Sequence, residues 1–310
     1  MMNSNITVTV LILCLWASST SALTVNFIDV GHGDAILFEE NGKYLLVDCG
    51  RSDTKIGSYL TSKGVSTIDY LITTHPDADH IGGCDYVLGN YNVTNVWDNG
   101  QPADTVAYQN YIALAHEKNY SVIYNGTLLD WNNVTVRILA PPEPYPTGNR
   151  NYNSIVAKVS YGSVDFMLTG DCTTECESRL SGNLSSEILK VGHHGSKYST
   201  SQDFLDRVDP EVAVISVGAT NPYGHPSQEV LDRLADNNIE THRTDLEGTI
   251  IVTTNGSTYS ISPENCELEG DYPPCGEVTL AEVVDFIILW VDGKAELSDV
   301  VDLIVAWTGI

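Results

Sequence analysis

The sequence predicts an α/β fold in which helices cover a pair of β-sheets. Strand-like and helix-like segments alternate through most of the 310 residues. A hairpin opens this pattern, because the turn pair Asn41-Gly42 separates two alternating apolar segments, residues 35–39 and 44–48. Hairpins with interleaved helices are typical of two sheets covered by helices. With 42% hydrophobic residues, the chain can fill such a core.

The hydrophobic periodicity places each element along the chain. The first strand is predicted at residues 24–30, ahead of the hairpin. The predicted helices cover residues 55–63, 107–118, 202–208 and 228–236. The remaining predicted strands cover residues 69–73, 135–139, 155–161, 164–168, 212–217, 249–253 and 258–261.

The two ends of the chain have a different character from the middle. Residues 1–22 resemble a signal peptide, with an apolar run at 6–17 followed by small residues before Leu23. The run is short for a membrane span, so we expect a secreted or cell-surface protein with no membrane span in the mature chain. An uncleaved anchor is the alternative, because the first residues contain no Lys or Arg.

A linker and a short repeat follow the main domain, which we place at residues 23–262. Residues 263–276 contain Pro273-Pro274 and predict the linker. In residues 277–310 the segment 280–290 nearly repeats at 297–307, which predicts a helical hairpin. The pair resembles dockerin-like modules and would dock a surface partner, although it lacks the calcium-ligand spacing of an EF-hand. The alternative is a hairpin packed on the main domain.

The cysteines and glycosylation sequons agree with export. Beyond the signal, six cysteines remain, and their local spacing suggests the pairs Cys49–Cys84, Cys172–Cys176 and Cys266–Cys275 among fifteen connectivities. Six Asn-x-Ser/Thr sequons favour an exported glycoprotein. They begin at Asn92, Asn119, Asn125, Asn133, Asn183 and Asn255.

The formal net charge of −26 is spread along the chain and predicts a solvated acidic surface. Such a surface does not favour broad binding to a phosphate backbone, so a nucleic-acid substrate would have to be held locally. Four cations lie close in sequence to the chemical motifs and could bind a phosphate. They are Arg150, Lys158, Lys190 and Lys197.

The strongest chemical signal is the segment His75-x-Asp77-x-Asp79-His80. It follows an apolar strand, and in an extended loop residues two apart project to the same side. Gly82-Gly83 then lets other backbone approach closely. Four potential metal ligands thus converge from six residues. A solvated turn is the plain alternative.

This motif resembles the signature of the metallo-β-lactamase superfamily, and its Asp77 variant is similar to that of the extracellular hydrolase domain of ComEC competence proteins. Further similar segments follow in the same order, over about residues 25 to 255. They are residues 27–35, 46–50, 153–156, 168–171, 189–196 and 221–226. The resemblance implies an αββα sandwich, to which the C-terminal hairpin is attached.

The resemblance also implies a site for two divalent metal ions. Asp171 would bridge them, with His75 and Asp77 at one ion and with Asp79, His80 and His193 at the other. Two ions about 3.5–4 Å apart lower the pKa of a bridging water and neutralise charge on a phosphoryl or carbonyl oxygen. His194 would face the substrate or orient a ligand, and His225 would be a ligand or a proton donor. An ordinary loop role is the alternative for both.

Zinc is the expected metal, but two differences from the family pattern make the first site rich in oxygen ligands. Asp77 replaces the usual histidine, and Asn151 and Asn153 stand where many members have another histidine. Manganese, iron or magnesium therefore also suit the site. Single-ion occupancy or an inactive site are alternatives. Asp34 and Asp48 are candidates to orient the histidine ligands, Asp48 being the better one, and a role in a hairpin turn is the alternative for both.

These features predict an exported metal-dependent hydrolase, a phosphodiesterase or nuclease that uses a metal-bound hydroxide. Its catalytic residues would be Asp79, His194 and His225. Lactones, β-lactams and phosphorylcholine esters are alternative substrates, because the same hydroxide attacks carbonyl carbon. A surface binding or scaffold protein with a vestigial site is the alternative from another class.

Overall fold

A computed structural model describes residues 22–264, which form two mixed β-sheets with helices between the strands. The strands are β1 (Leu23–Phe27), β2 (Ile36–Glu40), β3 (Lys43–Val47), β4 (Thr67–Ile72), β5 (Asn92–Asp98), β6 (Asn119–Val122), β7 (Leu128–Trp131), β8 (Val134–Ala140), β9 (Val156–Tyr161), β10 (Val164–Leu168), β11 (Ile188–Lys190), β12 (Val212–Ile215), β13 (Glu240–Arg243), β14 (Ile250–Thr254) and β15 (Tyr259–Pro263). The helices are α1 (Asp53–Ser62), α2 (Ala78–Ile81), α3 (Cys84–Asn90), α4 (Val106–Ala115), α5 (Thr174–Glu177), α6 (Gln202–Val208), α7 (Gln228–Asp236) and α8 (Thr244–Glu247).

Each sheet combines an antiparallel half with a parallel half. The first sheet has the order β15-β14-β1-β2-β3-β4-β5-β6, and the second has the order β13-β12-β11-β10-β9-β8-β7. Strands β3 to β6 are parallel in the first sheet, and β10 to β13 are parallel in the second. Loops beyond the carboxyl ends of parallel strands are where α/β proteins place their sites.

Three apolar clusters give the described chain its four layers. The cluster between the sheets joins their inner faces, as where Phe38 meets Phe166 edge-on with ring centroids 5.9 Å apart. A second cluster packs helices α1, α3 and α4 on the outer face of the first sheet. A third packs α6 and α7 on the second sheet, where Val230 and Leu234, four residues apart, share one helix face. The predicted αββα arrangement is confirmed for this part of the chain.

Most predicted elements are present, with ends that differ by a few residues. Helices α6 and α7 have the predicted bounds. The hairpin turn is also as predicted, with Asn41 at φ 54° and Gly42 at φ 70°, the left-handed pair that a two-residue turn requires. The prediction missed β5, β6, β7 and β13 and the short helices α3, α5 and α8.

Two of the three suggested disulfides lie in the described residues, and both are formed: Cys49–Cys84 and Cys172–Cys176. All six sequon asparagines are exposed. No helix within residues 22–264 is long and apolar enough to cross a membrane. The dockerin-like hairpin, the third cysteine pair, the signal peptide up to residue 21 and the linker beyond residue 264 lie outside the described residues and stay predictions. The linker begins later than predicted, because strand β15 includes Pro263.

The two disulfides should differ in how much they stabilise the fold. The Cys49–Cys84 bridge closes a loop with a sequence separation of 35, against 4 for Cys172–Cys176. Loop-closure entropy predicts a loss of about 4 kcal/mol for the first and about 2 kcal/mol for the second. We expect urea unfolding of Cys49→Ala/Cys84→Ala to show the larger loss. Equal losses in the two double variants would contradict this ranking.

Candidate metal centre

The loop after β4 brings the predicted histidine and aspartate side chains to one point. His75 and His80 are buried at 1% and 0% exposure, whereas Asp77 and Asp79 are half-buried. Helix α2 begins at Ala78, so the chain turns from an extended loop into a helix within the motif. This turn aims His80 to the same side as His75, and their ring centroids lie 4.1 Å apart.

Neighbouring loops hold this segment in place through backbone hydrogen bonds. The Asp34 amide donates to the Asp79 carbonyl at 3.1 Å, and the Cys49 amide donates to the His80 carbonyl at 2.7 Å. Gly33 has a φ of 147°, and a side chain there would collide with the carbonyl oxygen of Asp79. The loops after β1 and β3 therefore press directly against the motif.

Asp171, which follows β10, lies at the middle of the cluster and presents one carboxylate oxygen to each of two histidine pairs. Its Oδ1 lies 3.1 Å from His80 Nε2 and 3.6 Å from His194 Nε2. Its Oδ2 lies 3.7 Å from His75 Nε2 and 3.6 Å from His193 Nε2. A carboxylate in this position can join two adjacent groups of ligands.

A further aspartate belongs to each group. Asp79 Oδ2 lies 3.7 Å from His194 Nε2, and Asp77 Oδ2 lies 3.5 Å from His75 Nε2. Each side of Asp171 thus combines two imidazoles, one aspartate and one oxygen of the shared carboxylate.

Several buried nitrogen and oxygen atoms of the cluster lack a well-directed hydrogen bond, and this bears on whether the cluster fits a metal. His75 Nε2, His80 Nε2, His194 Nε2 and Asp171 Oδ1 are buried and face one another, yet none of them makes a well-directed hydrogen bond among the described residues. Leaving such atoms unpaired costs free energy, which a shared cation would recover. Candidate ligand atoms of His75, His80 and Asp171 all lie within 4.8 Å of one another, as do those of His32, Asp79 and His194. The nitrogen and oxygen donors fit divalent transition metals.

Hydrogen bonds behind the cluster orient two of the histidines. Asp48 Oδ2 lies 2.8 Å from His80 Nδ1, and Asp48 Oδ1 accepts the Thr74 amide at 2.7 Å. His194 Nδ1 lies 2.8 Å from the Ser216 carbonyl oxygen, to which it donates. Such bonds leave Nε2 of each ring as the free ligand atom. Asp48 thus contacts the ring that it was predicted to orient.

Asp34, the other orienting candidate, lies behind His194. Its Oδ1 is 3.3 Å from His194 Nδ1, and its Oδ2 pairs with Lys190 Nζ at 2.8 Å. Burial raises the pKa of Asp34, but attraction to Lys190 outweighs this and holds the pKa well below its usual range. A buried, ionised Asp34 therefore lies beside Nδ1 of His194, on the side of the ring away from Asp171.

In the absence of metal, the negative charge of the nearby carboxylates raises the pKa of two buried histidines. Burial alone lowers the pKa of His194, but attraction to Asp171 and Asp34 raises it to about 9. The pKa of His80 is likewise lowered by burial and raised well above its usual value by Asp171 and Asp48. Both rings are therefore protonated at pH 7 when no cation balances the carboxylates.

The two consecutive histidines after β11 both approach Asp171. His193 alone was predicted as a metal ligand, but the backbone is left-handed at both histidines, with φ of 51° for His193 and 54° for His194. Such conformations are uncommon for residues other than glycine and cluster at functional sites. Because of this turn, His194 is buried while His193 remains partly exposed, and the two rings reach opposite oxygens of Asp171.

The two asparagines before β9 have different surroundings. Asn153 is buried, and its amide donates to Gln101 Oε1 and to the Thr147 carbonyl, so it braces a loop. Asn151 lines the cleft over the cluster, with its Nδ2 3.3 Å from His193 Nε2. Asn151 is therefore the residue beside the site.

The prediction that nearby cations bind a phosphate is wrong for two of the four. Lys190 is fully buried against Asp34, and Lys158 is buried against Asp165 and the Ser185 carbonyl. Both are occupied by internal partners. Arg150, in contrast, lines the cleft and pairs with Asp77 Oδ1 at 2.8 Å while 37% of its side chain stays exposed.

The cleft above the cluster, about 350 Å³ in volume, contains residues that sequence reasoning missed. His32 lies with its Nε2 3.9 Å from Asp79 Oδ2, and burial together with repulsion from His194 lowers its pKa to about 4. Arg51 and Tyr223 also line the cleft. The signal for His32 was its place between two glycines directly after the first strand.

His225, a predicted site residue, also lines the cleft, and burial and the neighbouring His193 lower its pKa.

Comparison with known proteins identifies similar sequences. Residues 28–219 match the family model described as the metallo-beta-lactamase superfamily. ComE operon protein 3 of Bacillus subtilis is 31% identical over 269 residues, which cover 77% of this chain and 34% of that protein. Competence protein ComA of Neisseria gonorrhoeae is 34% identical over 229 residues, covering 72% and 31%. The chain thus spans about a third of the length of these relatives.

A solved structure has the same fold. The metallo-beta-lactamase fold protein YhfI from Bacillus subtilis superposes with a TM-score of 0.51 and 13% identity. The match covers 76% of this chain and 100% of that one.

Metal retention tests the ligand cluster. We expect His80→Ala to lose most of the bound divalent metal after dialysis, because it removes the buried Nε2 that faces Asp171. His242→Ala is the matched control, since His242 pairs with Glu240 and Glu247 on β13, outside the cluster. Metal per chain would be measured by mass spectrometry. Equal metal content in the two variants would show that the cluster does not bind it.

Metal binding should also release protons. His80 and His194 hold protons at pH 7 that a metal must displace, and the affinity should therefore rise as the pH rises towards about 9, the pKa of His194. Calorimetric titration with zinc at pH 7, in two buffers of different ionisation enthalpy, measures the proton count. We expect at least one proton released per chain. Heats independent of the buffer would contradict the raised pKa values.

Proposed function

The chain belongs to the metallo-beta-lactamase superfamily, and on the geometry of its cluster we propose that it is a metal-dependent phosphodiesterase that acts outside the cytoplasm. The observation that carries this proposal is the Asp171 carboxylate, whose two oxygens each face two imidazoles. This arrangement suits two neighbouring divalent ions, and many enzymes that hydrolyse phosphate esters use such a pair of ions.

The distances suggest a more even division of ligands than the family pattern implies. We assign His75, Asp77 and His193 to the first ion, because their ligand atoms lie on the Oδ2 side of Asp171. Asp79, His80 and His194 belong to the second ion, on the Oδ1 side. His193 thereby supplies the imidazole that Asn151 does not.

This assignment changes the role of His194. At 1% exposure it cannot touch a substrate, and its Nε2 is one of the unpartnered buried atoms. It is therefore a ligand rather than a catalytic residue. Asp79 is a ligand whose pKa is raised by burial but held well below its usual range by the hydrogen bond from His194 and by attraction to His80. It stays ionised at neutral pH.

When bound, the two ions lower the pKa of a water molecule and neutralise charge on the phosphoryl oxygens. His225 lies in the cleft with an unpartnered Nδ1 and can carry a proton to or from the leaving oxygen. Its lowered pKa makes it neutral in the free protein at pH 7, and a bound phosphate beside it would raise that pKa.

Two features support a phosphodiester over a carbonyl substrate. Arg150 lines the cleft with 37% of its side chain exposed, and the planar N–H donors of an arginine match phosphate oxygens. One of the relatives is named competence protein ComA, which suggests nucleic acid as the source of the phosphodiester. Each ion would have two aspartate oxygens and two nitrogens, so manganese and iron suit the site as well as zinc does.

The disulfides and the glycosylation sequons support a location outside the cytoplasm. Disulfides persist in oxidising surroundings and are rare in the cytosol. The two formed bridges and the six exposed sequon asparagines therefore support an exported glycoprotein.

Hydrolysis of bis(p-nitrophenyl) phosphate by metal-replete protein tests the proposal. We expect Asp171→Asn to lower kcat/KM at least a thousandfold, because the amide cannot bridge two cations. The control Asp203→Asn alters an exposed carboxylate on α6 and should match wild type. A panel of lactone, β-lactam and phosphorylcholine esters is run in parallel. Turnover of one of these esters without diester cleavage would replace the phosphodiesterase proposal.

A further inference from the structure

Tyr223 is a large aromatic residue on the rim of the cleft, between β12 and α7. It is 58% exposed although it lines the same cleft as the metal ligands. Its ring stacks with two imidazoles, at a centroid distance of 5.1 Å and an angle of 29° for His32, and of 5.8 Å and 24° for His225. A single exposed aromatic is ordinary, but Tyr223 lines the cleft beside the ligand cluster, and 58% of it stays accessible despite the two imidazoles it contacts.

The loop that carries Tyr223 is braced so that the ring has a fixed place. Asn221 Oδ1 accepts the amides of Tyr223 at 3.2 Å and His225 at 3.0 Å. Asn221 Nδ2 donates to the carbonyls of His225 at 2.7 Å and Gly218 at 2.8 Å. A preorganised ring loses little conformational entropy when a ligand stacks on it.

The ring lies close to the metal centre. A single imidazole, that of His32, separates Tyr223 from Asp79: it stacks with Tyr223, and its Nε2 lies 3.9 Å from Asp79 Oδ2. A group stacked on Tyr223 would therefore belong to the same nucleotide as the reacting phosphate, or to the next one.

The charge of the cleft suits the rest of such a nucleotide. The chain has 15 Lys and Arg against 41 Asp and Glu, yet two arginines, Arg51 and Arg150, line this cleft. Arg150 is anchored by Asp77 and remains partly exposed. Cations that track a phosphate backbone beside an aromatic platform are the combination that binds single-stranded nucleic acid.

We propose that Tyr223 is the base-stacking platform of the cleft and that the substrate is a single-stranded nucleic acid. This inference rests on the proposed phosphodiesterase function. Bases of a duplex are stacked inside the helix, whereas those of a single strand are free to stack on a protein ring. Tyr223 thereby favours strands with accessible bases and makes no base-specific contact.

The test compares two substrates that differ only in their bases: a twelve-residue deoxythymidylate strand and an abasic strand of the same length. Stacking contributes about 1–3 kcal/mol per base, so Tyr223→Leu should lower the ratio of kcat/KM between the two strands by about tenfold or more. Tyr223→Phe, which keeps the ring, should retain the wild-type ratio. The control is Tyr198→Leu, at a tyrosine that is 65% exposed and does not line the cleft.

Binding of the same labelled strands to metal-loaded protein, measured by fluorescence anisotropy, separates the two proposals. If Tyr223→Leu leaves the ratio unchanged in both cleavage and binding, the stacking platform is refuted. If wild type discriminates the strands in binding, Tyr223→Leu loses that discrimination and neither strand is cleaved, the hydrolase proposal fails and the stacking platform stands. If Tyr198→Leu lowers the ratio of kcat/KM between the two strands as much as Tyr223→Leu does, the assignment is also overturned, because the preference for bases would not depend on the cleft.

Discussion

The structure depends on one buried carboxylate. Asp171 is 3% exposed and faces four imidazoles, and attraction from His80 and His194 outweighs burial and holds its pKa well below its usual range. A buried charge is tolerable only where opposite charge and hydrogen bonds compensate it. Protonated histidines provide this compensation in the metal-free protein, and two cations would provide it in the metal-bound one. The same electrostatic demand therefore explains both the histidine pKa values and the metal-binding capacity.

The fold meets this demand by bringing separate strand ends together. Asp171 follows β10, in the middle of the second sheet, while His75 and His80 follow β4 of the first sheet. The loops after β1 and β3 close over the motif, helped by Gly33 and by the Cys49–Cys84 bridge. The site is consequently a seam between the two sheets, and its geometry requires that both halves be folded.

Local patterns made much of this predictable. The ligands of the His75–His80 segment lie within six residues, so their spacing located them, whereas Asp171, three residues after β10, was identified through the family resemblance. The hairpin at Asn41-Gly42 was predictable because two left-handed residues suit few amino acids. Strand β5 was not, because its polar residues, such as Asn92 and Asn95, favour loops, and its parallel pairing with β4 and β6 overrides that preference.

Features that arise from tertiary structure escaped sequence reasoning. The roles of His193 and His194 depend on two consecutive left-handed residues, a backbone choice that no spacing rule predicts. His32 and Tyr223 come from loops nearly two hundred residues apart and meet only when β1 and β12 are in place. Lys190 was a candidate for binding phosphate, but it is buried against Asp34. Such pairings are properties of the folded chain.

The division of ligands about Asp171 is most directly tested by anomalous diffraction from crystals of the full chain grown with manganese or zinc. Two anomalous peaks should flank the Asp171 carboxylate, one beside His75 and His193 and the other beside His80 and His194. A single peak, or a pair in which His193 and His194 bind the same ion, would contradict this arrangement.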